Sequence, residues 1–307
     1  MVNLREWALP VYTIMMQMSA GSMLALWVLY TVALRRYGPE IATKLTKNPL
    51  IVIVVTVITA MIGSHYHLSR PAFSLFAVLN FQSSWLSREV GFTVVFAGLA
   101  GLLLLVLLYR PNAVKGQLAL GWGAVTMGVV TVYAMSRVYL LPTQIAWNSV
   151  ATPIAFFCAM VLLGVIGMAV VLLINLYLFT LNKDSDLVLI RAVTRRVLTL
   201  ACGVAILVAL IELANYGFQI VDLYNQGSTA HASLYLLLGL YRALFVIRVG
   251  LLIAGVLALS LVTLWQQRRS KPVVRFLASI YLTFLMVLIS EVLGRFLFYA
   301  VHVRTGI

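Results

Sequence analysis

The chain has 307 residues, 63% of them apolar and only 10% charged, with a mean hydropathy of +1.04 and a formal charge of +14. So little polar surface excludes a water-soluble domain of ordinary make-up. The basic residues fall at the ends of apolar runs rather than along one stripe, which argues for membrane topology and against nucleic acid as a partner.

A hydrocarbon core of about 30 Å takes roughly 20 apolar residues per helical crossing, so the length accommodates about eight crossings and no sizeable soluble domain. Hydropathy places the spans at Pro10–Leu34, Pro49–Ser64, Glu89–Leu108, Leu118–Arg137, Val150–Leu181, Val197–Ile220, Leu234–Trp265 and Val274–Tyr299. The expected fold is an all-α, polytopic integral membrane bundle of eight transmembrane helices, one anchor domain over residues 1–307. The first run is long enough to span and reads as a retained helix rather than a cleaved leader. Spans five and seven are long enough to tilt or to project beyond the hydrocarbon. No internal repeat or low-complexity linker is apparent.

The connections alternate in charge. Arg35, Arg36, Lys44 and Lys47 follow span one, Arg110 and Lys115 span three, Lys183, Arg191, Arg195 and Arg196 span five, and Arg268, Arg269, Lys271 and Arg275 span seven. These are 14 of the 22 Lys and Arg, so the odd-numbered connections are expected to face the cytoplasm and both termini the extracytoplasmic side. Cys158 and Cys202 each sit inside an apolar run, without metal or cluster spacing, so an iron-sulfur cluster within this chain is excluded.

Ionisable groups in or beside a bilayer are costly, which makes those on the outer side functional candidates: Glu6, His67, Arg70, Arg88, Glu89, Arg137, Glu212, Arg242, Arg248, Glu291, Arg295 and His302. In span eight Glu291, Arg295, Phe298, Tyr299 and His302 share one helical face, and Glu291 and Arg295 at i,i+4 are expected to neutralise each other. Span six repeats the pattern with Glu212, Asn215, Tyr216 and Gln219, and span one with Glu6, Thr13 and Gln17. Ion pairs and interhelical hydrogen bonds that only hold the bundle together are the structural alternative for each residue. Their convergence towards one side favours a site.

Between spans two and three, Gly63 to Pro71 carries His65, His67 and Arg70, and Pro71 keeps any helix from running on, so this segment is a loop or a short amphipathic helix. A quinol site needs an apolar slot, hydrogen-bonding partners for two oxygens and a proton acceptor near the surface, a task that suits His67. The alternative is an interfacial histidine that hydrogen-bonds its own loop. His65, His67, His231 and His302 all lie at or beyond span ends, and His65 and His67 diverge by about 200° on a helix, which argues against haem. Arg88 and Glu89, expected to be exposed, are candidates for docking a partner. A transporter or channel would place ionisable groups or broken helices near the midplane, often in two related halves, and the off-centre stripes speak against it. A passive anchor without a redox role is the remaining alternative.

Taken in order, Glu6-Trp7 with Thr13 and Gln17, His67-Leu68 with Pro71, Ser84 to Glu89, Arg137-Val138-Tyr139 with Trp147, Thr152-Pro153, Glu212-Leu213-Ala214 and Gly294-Arg295 with Phe298, Tyr299 and His302 resemble the anchor subunit of the dimethyl sulfoxide reductase family, of the complex iron-sulfur molybdoenzyme type, over nearly the whole length. The chain departs at Ser69, where the family usually has glycine. The resemblance implies a haem-free bundle with both termini outside and menaquinol as the bound redox substrate. It also implies a ferredoxin-like partner with four iron-sulfur clusters and a molybdopterin catalytic subunit, in anaerobic respiration at the cytoplasmic (inner) membrane. The family's quinol-linked histidine falls on His67. The expected quinol site is therefore His67 as proton acceptor, with Arg70, Arg137, Tyr139, Glu291, Arg295, Tyr299, Glu6 and Gln17 around it and no metal.

Overall fold

The computed structural model describes residues 8–65, 71–268 and 273–303. Within them, eight helices are long and apolar enough to cross a membrane. These are α1 (Ala8–Tyr37), α2 (Pro39–His65), α3 (Trp85–Tyr109), α4 (Val114–Val138), α5 (Ala151–Leu181), α6 (Leu187–Asn225), α8 (Arg242–Arg268) and α9 (Val273–Ala300), with a short α7 (Ser228–Tyr235) and a 3-10 helix over Pro71–Asn80. No strand occurs among the described residues.

Helix pairing divides the bundle into two rings of four. In the first, α1 and α3 each pack against α2 and α4; in the second, α5 and α8 each pack against α6 and α9. The rings share the seam between α1 and α5, a feature with no counterpart in any sequence repeat. Two glycines bring those helices into backbone contact: a Cβ on Gly21 would stand 1.8 Å from the Met160 carbonyl oxygen, and one on Gly164 2.2 Å from the Gly21 carbonyl carbon. Small residues at a crossing let dispersion and interhelical hydrogen bonds replace the hydrophobic drive that lipid cannot supply. Ser22 Oγ donates to Gly164 O at 3.3 Å and Gln17 Nε2 to Phe156 O at 3.2 Å across the same seam.

Three elements differ from the hydropathy reading, each for a local reason. First, α2 runs straight through Pro49, the expected start of span two. Proline has no N–H for the carbonyl four residues back, and Asn175 of α5 takes over, with Nδ2 3.5 Å from Leu45 O and 3.2 Å from Lys44 O. Second, α6 begins at Leu187, ten residues before the expected Val197. Ile190, Val193 and Thr194 are buried on one face while Arg191, Arg195 and Arg196 are exposed, so the arginines lower the local hydropathy without breaking the helix. Its 39 residues reach about 58 Å at 1.5 Å per residue, well past the hydrocarbon. Third, the apolar run expected to open span seven at Leu234 belongs to α7 and a π-helical turn over Leu236–Leu240, where Tyr241 N donates to Leu236 O at 2.8 Å. The span proper is Arg242–Trp265.

At the end of the bundle that carries the basic connections, Lys44 Nζ ties α2 to the α5–α6 connection through Asp186 at 2.6 Å and Asp184 at 3.4 Å, with Glu40 at 3.6 Å. The Asp186 N–H, first, and Lys44 after it hold the Asp184 carboxyl below its ordinary range.

Candidate functional site

At the opposite end the polar stripes of α1, α3, α6, α8 and α9 meet inside the bundle. Glu212 is fully buried, and Glu291 and Arg295 are 3% and 6% exposed. The expected pairing of Glu291 with Arg295 does not form. Arg295 Nη2 donates to Gln17 Oε1 at 3.0 Å and its guanidinium lies 3.9 Å from the Phe156 ring centre. The ion pair inside the bundle, among the described residues, is Arg248 Nη2 to Glu212 Oε1 at 2.9 Å. Position along the helix favours i,i+4 contact, but Gln17 and Phe156 across the seam offer Arg295 both an acceptor and a π face.

Arg248 is thus a member of the site that helix-face reasoning on α6 and α9 does not supply. Its guanidinium fills the space over Gly294, where a Cβ would stand 2.3 Å from Arg248 Cζ. Ser290 Oγ donates to Arg248 O at 2.9 Å, and Tyr216 donates its hydroxyl to Glu212 while its ring lies 4.3 Å under the Arg248 guanidinium. A cavity of about 50 Å³ opens among Thr152, Tyr216, Gln219, Arg248, Glu291 and Arg295, enough for a few waters but not for a quinone ring.

An aromatic cluster adjoins these charges. The Tyr139 and Tyr299 hydroxyls are 2.5 Å apart, Trp147 stacks on Phe298 at 5.3 Å and on His302 at 4.8 Å, and Trp147 Nε1 donates to Phe298 O at 2.7 Å. Tyr139 lies just beyond α4, and burial, with Tyr299 beside it, holds its phenol well above the ordinary value, so it remains a neutral hydroxyl. His302 Nδ1 lies 2.5 Å from Tyr299 O, so its ring is fixed at the mouth of the cluster.

Glu89 corrects the sequence reading. Expected to be exposed for docking, it is 6% exposed and turned inward, within hydrogen-bonding reach of the Tyr12 hydroxyl, which also meets Thr93 Oγ1 at 3.1 Å. Tyr139 and Tyr299 both feel its charge, while no basic side chain stands within ion-pair distance of it among the described residues. Its neighbour Arg88 turns the other way, donating to Phe81 O at 2.9 Å and Gln82 O at 2.5 Å. It thereby closes the turn ahead of α3.

The structure therefore brings together Gln17, Tyr139, Glu291, Arg295 and Tyr299 from the expected set, and adds Glu89, Glu212 and Arg248. Arg137 lies 5.0 Å over the Trp85 ring at the start of α3, its Nε buried and unpartnered, and does not line the cavity with Glu291 and Arg295. Glu6, His67 and Arg70 lie outside the described residues. Phe156 carried no polar signal and was missed, whereas Trp147 entered only through the resemblance and Arg248 only as an ionisable candidate inside an apolar run.

A bundle whose outer surfaces are apolar and whose ionisable side chains turn inward at one end defines a multi-pass membrane protein. Over residues 1–301 the chain matches the family described as the DMSO reductase anchor subunit (DmsC), and it belongs to that family. It is 29% identical over 248 residues to the YnfH polypeptide of the anaerobic dimethyl sulfoxide reductase of Escherichia coli, covering 80% of this chain and 78% of that one. It is 25% identical to the C polypeptide of the anaerobic dimethyl sulfoxide reductase of Haemophilus influenzae, covering 99% and 97% of the two proteins. With the corresponding C polypeptide of Escherichia coli the identity is 26%, over 98% and 96%.

Proposed function

We propose that this anchor subunit oxidises menaquinol near the extracytoplasmic face of the cytoplasmic membrane and passes the electrons directly to an iron-sulfur partner subunit, which feeds a molybdenum catalytic subunit. The observation that carries this reading is the buried carboxyl of Glu89, with the buried hydroxyls of Tyr12 and Tyr139 and the half-buried Tyr299 near it, at the end of the bundle away from the basic connections. A passive tether has no need of a buried carboxyl without a cation beside it, whereas a quinol hydroxyl must lose its proton to some base before its electrons leave.

Oxidation of the quinol to quinone releases two protons and two electrons. His67, in the segment after α2, takes the first proton at the membrane surface, and Glu89 accepts the second. The cavity beside Glu291, of about 50 Å³, does not hold the quinol ring, and the reading puts the ring at the lipid edge of the bundle, at the start of α3 near Glu89. The Tyr139–Tyr299 pair lies on the Glu89 side of that position. Protons are released and electrons delivered on the same outer side, so the half-reaction moves no net charge across the membrane. The relatives' names point to a sulfoxide as terminal acceptor; that chemistry belongs to the catalytic partner.

The test uses the purified complex with two electron donors, a menaquinol analogue and a reduced dye that feeds the catalytic subunit directly. His67→Gln and Glu89→Gln are each expected to lower quinol-driven turnover at least 10-fold while dye-driven turnover and subunit stoichiometry stay at wild-type values. Fluorescence titration with a quinol-site inhibitor is expected to give saturable quenching in the wild type. Full quinol-driven turnover in both variants, or no quenching in the wild type, would leave the subunit a tether.

A further inference from the structure

The charged cluster contains two acids whose hydrogen bonds do not close. Glu212 Oε1 is satisfied by Arg248 Nη2 at 2.9 Å and by the Tyr216 hydroxyl, yet its Oε2 is buried without a donor. Glu291 Oε1 is also buried without a donor, and Glu291 lies within hydrogen-bonding reach of Glu212. Around the pair stand Tyr216 on α6, Arg248 on α8, Arg295 on α9 and the Cys158 thiol on α5. Tyr216 and Arg248 are committed to the other oxygen of Glu212, and Arg295 to Gln17.

We infer that Glu212 and Glu291 hold one proton between them, which makes this end of the bundle a proton-binding site distinct from the quinol position. Two ionised carboxylates in contact repel strongly where water is excluded, and each bare oxygen forfeits a hydrogen bond. A single proton removes both defects, turning the contact into a short O–H···O⁻ bond. The cavity of about 50 Å³ against Glu291, with Thr152 and Gln219 on its wall, has room for the waters through which that proton exchanges. With the proton in place, one carboxylate charge faces two guanidinium groups. The surplus positive charge falls on Arg295, whose acceptor is the neutral Gln17, beside the Tyr139–Tyr299 hydroxyls. Loss of the proton cancels that surplus, so the pair sets the field at the aromatic cluster.

Infrared difference spectra of the intact complex, wild type against Glu291→Gln and against Glu212→Gln, in H₂O and D₂O, test the pair. The expected result is a protonated-carboxyl C=O band in the wild type that shifts in D₂O and is lost in both variants. An amide N–H at either position can replace the shared proton, so assembly is expected to survive. If Glu212→Gln does not assemble, Glu291→Gln decides alone, because it leaves the Arg248–Glu212 pair intact. Absence of the band in the wild type, or its persistence unchanged in Glu291→Gln, means both acids are ionised and bridged by water, and overturns the inference. Inhibitor quenching is read separately on the same samples: a wild type without quenching but with the band sinks the quinol reading and not the proton site.

Discussion

At the scale of single residues the site depends on where one guanidinium can lie. Arg248 reaches Glu212 only because position 294 has no side chain, since a Cβ there would meet its Cζ at 2.3 Å, Nε at 2.4 Å and Nη2 at 2.5 Å. Gly294→Ala is therefore expected to push the guanidinium off Glu212. An uncompensated buried charge costs about 3–5 kcal/mol, and the cost should appear as a lower melting temperature and a reduced yield of assembled complex. Wild-type melting would show that Arg248 has a second place to go. Glu291 and Arg295 were legible in the sequence as members of one stripe, because polar residues recur on a helical face whatever the solvent. Their partners were not: Gln17 is 278 positions from Arg295 and Arg248 is 36 from Glu212. The inward turn of Glu89 was hidden for a different reason. Around a membrane helix both the lipid side and the packed side are apolar, so hydrophobicity does not say which way a lone carboxyl points.

At the scale of elements, α2 shows how a helix-breaking residue is repaired from a distance. Asn175 is 2% exposed; its Nδ2 serves Lys44 O and Leu45 O, and its Oδ1 accepts from Asn48 Nδ2 at 2.8 Å. Asn175→Leu keeps the size and removes all three contacts, leaving the Leu45 carbonyl without a donor in a dry interface, at about 1–3 kcal/mol. Pro49→Ala restores the backbone N–H that this carbonyl lacks. The destabilisation caused by Asn175→Leu, measured by thermal or denaturant unfolding in detergent, is therefore expected to be smaller in a Pro49→Ala background. Additive effects would mean that Asn175 stabilises the α2–α5 contact without repairing the helix. The existence of eight spans was readable from hydropathy because each needs a long apolar run. The ends that were misplaced lie where another signal overrode hydropathy: the arginine-bearing first turns of α6, Pro49 within α2, and the leucine-rich π turn before α8.

At the scale of the whole molecule, the distribution of charge makes the two ends of the bundle unlike. Basic side chains gather at one end of the bundle, 14 of 22 in the odd-numbered connections, and the buried acids Glu89, Glu212 and Glu291 lie towards the other. Because the K/R bias of short loops sets orientation, the acid-bearing end is expected to be extracytoplasmic, which is the side the proposed function requires for quinol oxidation. The two native cysteines are buried, so single exposed cysteines can report topology against a silent background. Asn112→Cys, in the connection between α3 and α4, is expected to react with a membrane-impermeant maleimide only after the cells are permeabilised, and Ser228→Cys, at the start of α7, in intact cells. The reverse pattern would put Glu89 and the Tyr139–Tyr299 pair on the cytoplasmic side. On the proposed reading, quinol protons would then be released into the cytoplasm, and the iron-sulfur partner that takes the electrons would have to dock on that side.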